Sequence, residues 1–129
     1  MKLKLDHITL IVRDQQEALS FYTEKLGFDK RSDNPMGPSA RWITVAAPGD
    51  DVEIVFQSPE WFEGEERANK AAQVGQNPAV VFGVDDCQAV YEAWSGKGVQ
   101  FASKPENTGW GVQAVALDLY GNSLVLVQR

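Results

Sequence analysis

Slid against itself by 72 residues, the chain repeats its own apolar pattern, and this constrains its fold more than any other feature. The stretch "IVRDQQ" falls on "GVDDCQ", so Val12 meets Val84 and Asp14 meets Asp86. "RWITVAAPGDDVEIV" falls on "QAVALDLYGNSLVLV", pairing Ile43 with Val115, Val45 with Leu117, Gly49 with Gly121, Ile54 with Leu126 and Val55 with Val127. "EALSFYTEKLGF" meets "AVYEAWSGKGVQF", the second ending one residue earlier, at Gly98. Few residues are identical; apolar phase and turn glycines are what repeat. The 129 residues therefore read as two modules, about 4–57 and about 77–129, joined by a linker of about 58–76.

Each module has the same predicted order. "LDHITLIVRD" alternates, with His7, Thr9 and Ile11 on one side and Ile8, Leu10 and Val12 on the other. In "DQQEALSFYTEKLGF", Asp14 and Glu17 have capping-box spacing, Ala18, Tyr22 and Leu26 share a helix face, and Gly27 ends the helix. Strand patterns follow at about 28–33, 40–47 and 51–57, with "NPMGPS" and "PGDD" as turns. The prediction is α+β, with two tandem βαβββ modules. The linker "SPEWFEGEERANKAAQVGQ" is charged and lacks a strand pattern; a helical stretch there would let Trp61, Phe62 and Ala68 cover something apolar.

Composition removes several functions. The net charge is −6 and no basic cluster stands out, which argues against nucleic acid as a partner. One cysteine, Cys87, makes no internal disulfide, and no Cys/His zinc spacing exists. It reads as a small helix residue in a reducing compartment. "MKLKLDHITLIV" alternates like a strand, and no run approaches the roughly 20 apolar residues of a membrane span. The expectation is a soluble, cytoplasmic protein that engages no membrane. There is no glycine-rich phosphate loop, no serine nucleophile elbow and no helical HExxH motif.

The repeat isolates two residues. His7, the sole histidine, falls on Ala79, and Glu53 falls on Val125. Strand phase puts His7 and Thr9, Trp42 and Thr44, and Glu53, Val55 and Gln57 on the face away from the helix. In the second module the same offset selects Ala79, Val81, Gly83, Ala114, Ala116, Val125 and Val127. Curled sheets would line a cavity with these faces, one half polar and aromatic, the other small and apolar. Glu53 needs a partner among its apolar neighbours, and His7 is the natural one. Together they make a candidate acid/base pair; equally, His7 is an ordinary strand histidine satisfied by one hydrogen bond. Thr9, Trp42, Thr44, Val55 and Gln57 are candidate ligand contacts. Trp110, between two glycines in "NTGWGVQ", is a candidate rim contact to substrate or to a partner subunit, or a plain turn residue.

These segments resemble the vicinal oxygen chelate (VOC) superfamily, which includes glyoxalase I, extradiol dioxygenases, and fosfomycin- and bleomycin-resistance proteins. The residues that carry the likeness are "DHITLIVRDQQEALSFYTEKLGF", "VEIVF", "VDDCQAVYEAWSGKGVQF" and "LDLYGNSLVLVQ". Members usually read Asp-Pro-x-Gly-Asn at the last turn; here Leu119 replaces the proline. The resemblance implies one VOC domain over 1–129, with a curled mixed sheet around a cavity, and a homodimer. In metal-dependent members the ligands come from the first and last strand of each module, places that fall here on His7, Glu53, Ala79 and Val125. A divalent metal (Zn, Ni, Mn or Fe) would find two donors of four, because alanine and valine cannot ligate, and a partner chain offers the same two. No cofactor is expected. The resemblance leaves three readings open. One is a bleomycin-resistance-like protein that holds a small organic ligand in a dimer cavity, its metal site half lost. Another is a glyoxalase-type lyase or isomerase using His7 and Glu53, with or without a divalent metal. The third is a glyoxalase-like protein without activity.

Overall fold

The alternating apolar strands and the two capped helices form as their patterns dictate. The structure, a computed structural model, describes residues 1–129. It is α+β, with two four-stranded mixed sheets. The first compact unit, Met1–Gly75, contains β1 (His7–Ile11), α1 (Gln15–Ser20), β2 (Asp29–Pro35), β3 (Arg41–Ala46) and β4 (Glu53–Gln57), followed by α2 (Gly64–Gln73). Its sheet order is β1-β4-β3-β2, with β1 parallel to β4 and the other pairs antiparallel. The second unit, Gln76–Arg129, contains β5 (Val80–Gly83), α3 (Cys87–Gly96), β6 (Gln100–Asn107), β7 (Val112–Leu117) and β8 (Ser123–Gln128), in the equivalent order β5-β8-β7-β6. The predicted strands lie where expected, each trimmed or shifted by one or two residues at its ends.

In the first unit, α1 starts on Asp14, whose carboxylate accepts the Glu17 N–H at 2.9 Å. The helix widens into a π turn over Phe21–Lys25, and the Leu26 N–H reaches the Phe21 carbonyl at 3.3 Å. Gly27 stops it at φ +75, a backbone region that L side chains avoid. Tyr22 and Leu26 then pack with Phe28, Ile43, Val45, Ile54 and Phe56 in a closed core. Gln15 pins the helix to the sheet. Its buried amide donates to the Arg41 and Phe56 carbonyls, and its oxygen accepts the Arg41 N–H. The second unit repeats this differently: Asp86 caps α3 through the Ala89 N–H, and the Gln128 amide oxygen accepts the Cys87 N–H at 2.8 Å.

The ladders correct the uniform 72-residue offset. Asp14 and Asp86 cap equivalent helices, so β1 and α1 map onto β5 and α3 by 72. In the first unit His7 pairs with Glu53, 46 positions on; in the second, Val81 pairs with Val125, 44 positions on. One residue is lost at the helix end, where Gly98 follows Gly27 by 71, and β2 and β3 keep that offset: Thr44 opposes Val55 as Val115 opposes Val125. A second is lost in the β7–β8 turn, which spans 118–122 against 47–52 in the first unit. By ladder position, Gln113 therefore corresponds to Trp42, Val115 to Thr44 and Ser123, not Val125, to Glu53. Ala114 and Ala116 face α3 with no exposure, on the opposite side of the sheet from where a constant offset puts them.

Candidate functional site

The face of the first sheet that points away from α1 gathers most of the sequence-selected residues. Ladder pairing puts His7 beside Glu53 and Thr9 beside Val55, while Thr44 opposes Val55 from β3. Trp42 lies two residues before Thr44 and so shares its face. His7 meets the Trp42 indole edge-on, with ring centroids 5.8 Å apart and planes at 88°.

The segment after β4 completes this face. Ser58 accepts the Glu60 N–H at 3.1 Å and starts a short 3-10 turn over Pro59–Trp61. That turn sets the Trp61 indole across from Trp42, centroids 6.5 Å apart and planes 26° from parallel. Three rings thus run in a row, His7, Trp42 and Trp61. The first compact unit runs through Gly75 and so takes in most of the 58–76 segment. Of the three residues expected to cover something apolar, Trp61 does so; Phe62 carries Lys70 over its ring at 5.0 Å, and Ala68 is exposed on an α2 that buries nothing.

Two polar atoms on this face are buried with no hydrogen-bond partner, Thr44 Oγ1 and Trp61 Nε1. Thr44 as a residue is 1% exposed. A buried polar atom left unpaired costs about 1–3 kcal/mol, so native folds rarely retain one without a use for it.

The His7–Glu53 pairing holds at the level of the backbone. The side chain, however, turns to its sequence neighbour: His7 Nδ1 lies 3.0 Å from Asp6 Oδ2. Asp6 precedes β1, which begins at His7, so strand alternation does not set the direction of its side chain. The Glu53 carboxylate has no hydrogen bond or ion pair, and it sits half-exposed at the first position of β4 rather than buried in mid-strand. Exposure answers its apparent misplacement among apolar residues, since water solvates it.

The donors present do not fit a divalent metal. No three His, Cys, Asp or Glu side chains come together as a ligand group. His7 and Glu53 supply two donors where a tight site uses three or more. In the second unit, Ala79 precedes β5, and a serine stands at the ladder counterpart of Glu53.

Gln57 ends β4 half-buried and Thr9 is exposed. Trp110 lies in the other unit, 89% exposed at the β6–β7 hairpin. Two hydrogen bonds close that hairpin: the Thr108 N–H donates to the Gly111 carbonyl at 2.9 Å, and the Gly109 N–H to Asn107 Oδ1 at 3.0 Å. Cys87 is fully buried at the start of α3, where desolvation and then the Asp86 charge push its thiol up, so it stays an unreactive packing group. An open surface concavity of about 510 Å³ lies outside α1, floored by Leu19 and Phe28. Its polar rim is already engaged, with Gln16 bonded to Ser20 and Arg41 and Thr23 to the Leu19 carbonyl.

Comparison with known proteins agrees with this architecture. The model of the Glyoxalase/Bleomycin resistance protein/Dioxygenase superfamily matches residues 4–126. The chain is 40% identical to the uncharacterized protein YurT of Bacillus subtilis (strain 168), over 98% of this chain and 100% of that one. Among solved structures, UcmS2 is 33% identical with a TM-score of 0.88, covering 98% of both chains. TnmS3, an antibiotic binding protein from Streptomyces sp. CB03234, is 31% identical with a TM-score of 0.82, covering 98% of this chain and 96% of that one.

Proposed function

The chain belongs to the Glyoxalase/Bleomycin resistance protein/Dioxygenase superfamily, and from that premise we propose that it binds a small organic molecule on the aromatic face of its first unit, without metal chemistry. One observation carries the reading: the face that bears the His7, Trp42 and Trp61 rings also bears two buried polar atoms without a hydrogen-bond partner, Thr44 Oγ1 and Trp61 Nε1. A ligand with complementary polar groups would satisfy them. Thr9, Val55 and Gln57 extend the contact surface along the same strands. The likeness to an antibiotic binding protein supports the same class of function. In this reading the protein works as a cytoplasmic homodimer, in which exposed Trp110 contacts ligand or the second copy.

A second reading has its own observation. His7 and Glu53 are ladder partners, and the Asp6 carboxylate 3.0 Å from Nδ1 orients the imidazole as a carboxylate orients a general base. A glyoxalase-type lyase or isomerase would use His7 and Glu53 to move a proton. The donor set does not hold a metal for it, so any such chemistry would rest on these side chains.

The test is a small-molecule screen followed by NMR on isotope-labelled protein. Binding predicts shifts at His7, the Trp42 indole and Thr44 on titration with hits. Hits that leave all three unmoved would overturn the assignment of the face. Turnover of a hit that disappears in both His7→Gln and Glu53→Gln, with binding retained, would establish the second reading over the first.

A further inference from the structure

Resting on the proposed binding face, we infer that Asp6 sets the polarity of its β1–β4 strip: Asp6 keeps the proton of neutral His7 on Nδ1, so that His7 Nε2 and the Glu53 carboxylate together present acceptors to a ligand group with paired N–H donors, an amidine or a guanidine. The tautomer is the first ground. An ionised carboxylate can only accept, so the 3.0 Å contact between Asp6 Oδ2 and His7 Nδ1 requires the proton on Nδ1. A neutral imidazole carries one N–H, and Nε2 is then an acceptor. Nε2 makes no hydrogen bond within the chain, and the His7 side chain is 42% exposed, so a ligand can reach it.

The backbone holds Asp6 in place for this. The Glu53 N–H donates to the Asp6 carbonyl at 3.1 Å, which ties Asp6 to the start of β4. Lys4, two residues earlier, pairs its Nζ with Asp51 at 3.2 Å and not with Asp6. The His7 ring also meets the Trp42 indole edge-on, so a carboxylate and an indole both limit its rotation.

His7 and Glu53 are register partners on adjacent parallel strands, which lie about 4.8 Å apart. Glu53 is half-exposed at the first position of β4, and its carboxylate bonds nothing. Both side chains therefore offer acceptors, one neutral and one charged, and neither offers a donor. An amidine or guanidine has planar N–H groups that reach two acceptors at once and a positive charge that meets Glu53. An anionic group would meet Asp6 and Glu53 with like charge. Thr44, 1% exposed on the same face, independently marks it as a ligand site, because its Oγ1 has no partner.

Benzamidine and benzoate test this, because they share size and flatness and differ in polarity: one is a cation with only donors, the other an anion with only acceptors. Both are titrated by NMR and read at the His7 ring, at a pH where its nitrogen spectrum shows the neutral form. The wild-type spectrum should show the Nδ1–H tautomer. Benzamidine should bind at least about tenfold tighter than benzoate, the scale of one charge-assisted hydrogen bond. Asp6→Ala changes a side chain that is 93% exposed, so the fold should hold. It should move the spectrum toward the Nε2–H tautomer and weaken benzamidine severalfold. Glu53→Gln should weaken benzamidine severalfold and leave the tautomer unchanged. A wild-type spectrum of the Nε2–H tautomer overturns the inference, as does an Asp6→Ala variant that keeps either the wild-type tautomer or the wild-type affinity. Equal binding of benzamidine and benzoate, with shifts at Trp42 and Thr44, overturns the polarity and leaves the binding face standing. No binding of benzamidine also overturns the polarity, and the broader screen then decides the face separately.

Discussion

Thr44→Val should make this protein more stable and a poorer binder. The Thr44 side chain is 1% exposed and its hydroxyl has no partner. Valine has nearly the same shape and replaces the hydroxyl with a methyl, so the core need not move. The unpaired hydroxyl costs about 1–3 kcal/mol in mutational data. The new methyl adds burial worth under about 1 kcal/mol. Some of that gain is lost if the denatured chain also changes, so a net stabilisation of about 1–2 kcal/mol is expected. For a 129-residue chain this is a rise of about 4–7 °C in Tm. Urea unfolding followed by tryptophan fluorescence measures it, with m unchanged if only stability shifts. A variant less stable than wild type by more than about 0.5 kcal/mol would refute the reasoning, because the hydroxyl would then be bonded in solution. The direction matters more than the size. A site whose repair stabilises the fold is one where stability has been given up for function.

Gln15→Ala should destabilise by about 2–4 kcal/mol, since it strands the Arg41 N–H and two carbonyls that the amide now satisfies; thermal unfolding reads this, and a loss below about 1 kcal/mol would mean that water replaces the amide. Gly111→Ala should be poorly tolerated: at φ +137 an added Cβ would meet the Gln128 carbonyl oxygen at 2.2 Å, so a variant with wild-type Tm would contradict the close approach of β7 to the end of β8. Asp33 receives two hydrogen bonds from Arg41, at 2.7 and 3.1 Å, and these, followed by the Arg41 charge, hold its carboxyl below the usual carboxylate range against the opposing effect of burial. A depressed value means that ionised Asp33 favours the fold; the contribution is complete above about pH 4 and is lost as pH falls through the depressed value. Asp33→Asn should therefore cost under about 1 kcal/mol at pH 7, as befits a partly exposed pair, and nothing near pH 2; a penalty that persists at pH 2 would refute the ion-pair origin.

The fold was legible because its signals are local and repeated. Asp14 and Asp86 mark both helix starts, Gly27 and Gly98 both stops, and alternation marks the buried side of β1. The first-unit face was legible for the same reason, since Thr9, Trp42, Thr44, Glu53 and Val55 follow strand phase. Three parts were not. Asp6 lies one residue before β1, where phase no longer dictates direction, and its contact with His7 is a property of the loop. Gln15 reads as one more polar helix residue; only the docked sheet shows that its amide bonds two strands. Trp61 was expected to cover something apolar, but from a helix; that it does so against Trp42, from a three-residue turn with no period to display, was not legible.

The second unit exposes a subtler limit. A single offset matches two modules only if neither loses a residue, and this chain loses two, one at the end of α3 and one in the β7–β8 turn. Each loss keeps strand and helix intact, so apolar runs still overlap and the mismatch stays hidden. In a strand, however, one residue reverses the face. That is why Ala114 and Ala116 look like cavity residues by sequence yet pack under α3, the helix that carries Trp94. The two-residue slip in β8 preserves the face but moves the position, replacing Val125 by Ser123 as the counterpart of Glu53. The ladder thus keeps the asymmetry between the units and changes its chemistry: the second unit offers Gln113, Val115 and Ser123 where the first offers Trp42, Thr44 and Glu53. Neither ring nor carboxylate recurs. If the proposed binding face is right, substitutions that alter ligand choice should fall on β1, β3, β4 and the Trp61 turn, and their counterparts in the second unit should leave it unchanged.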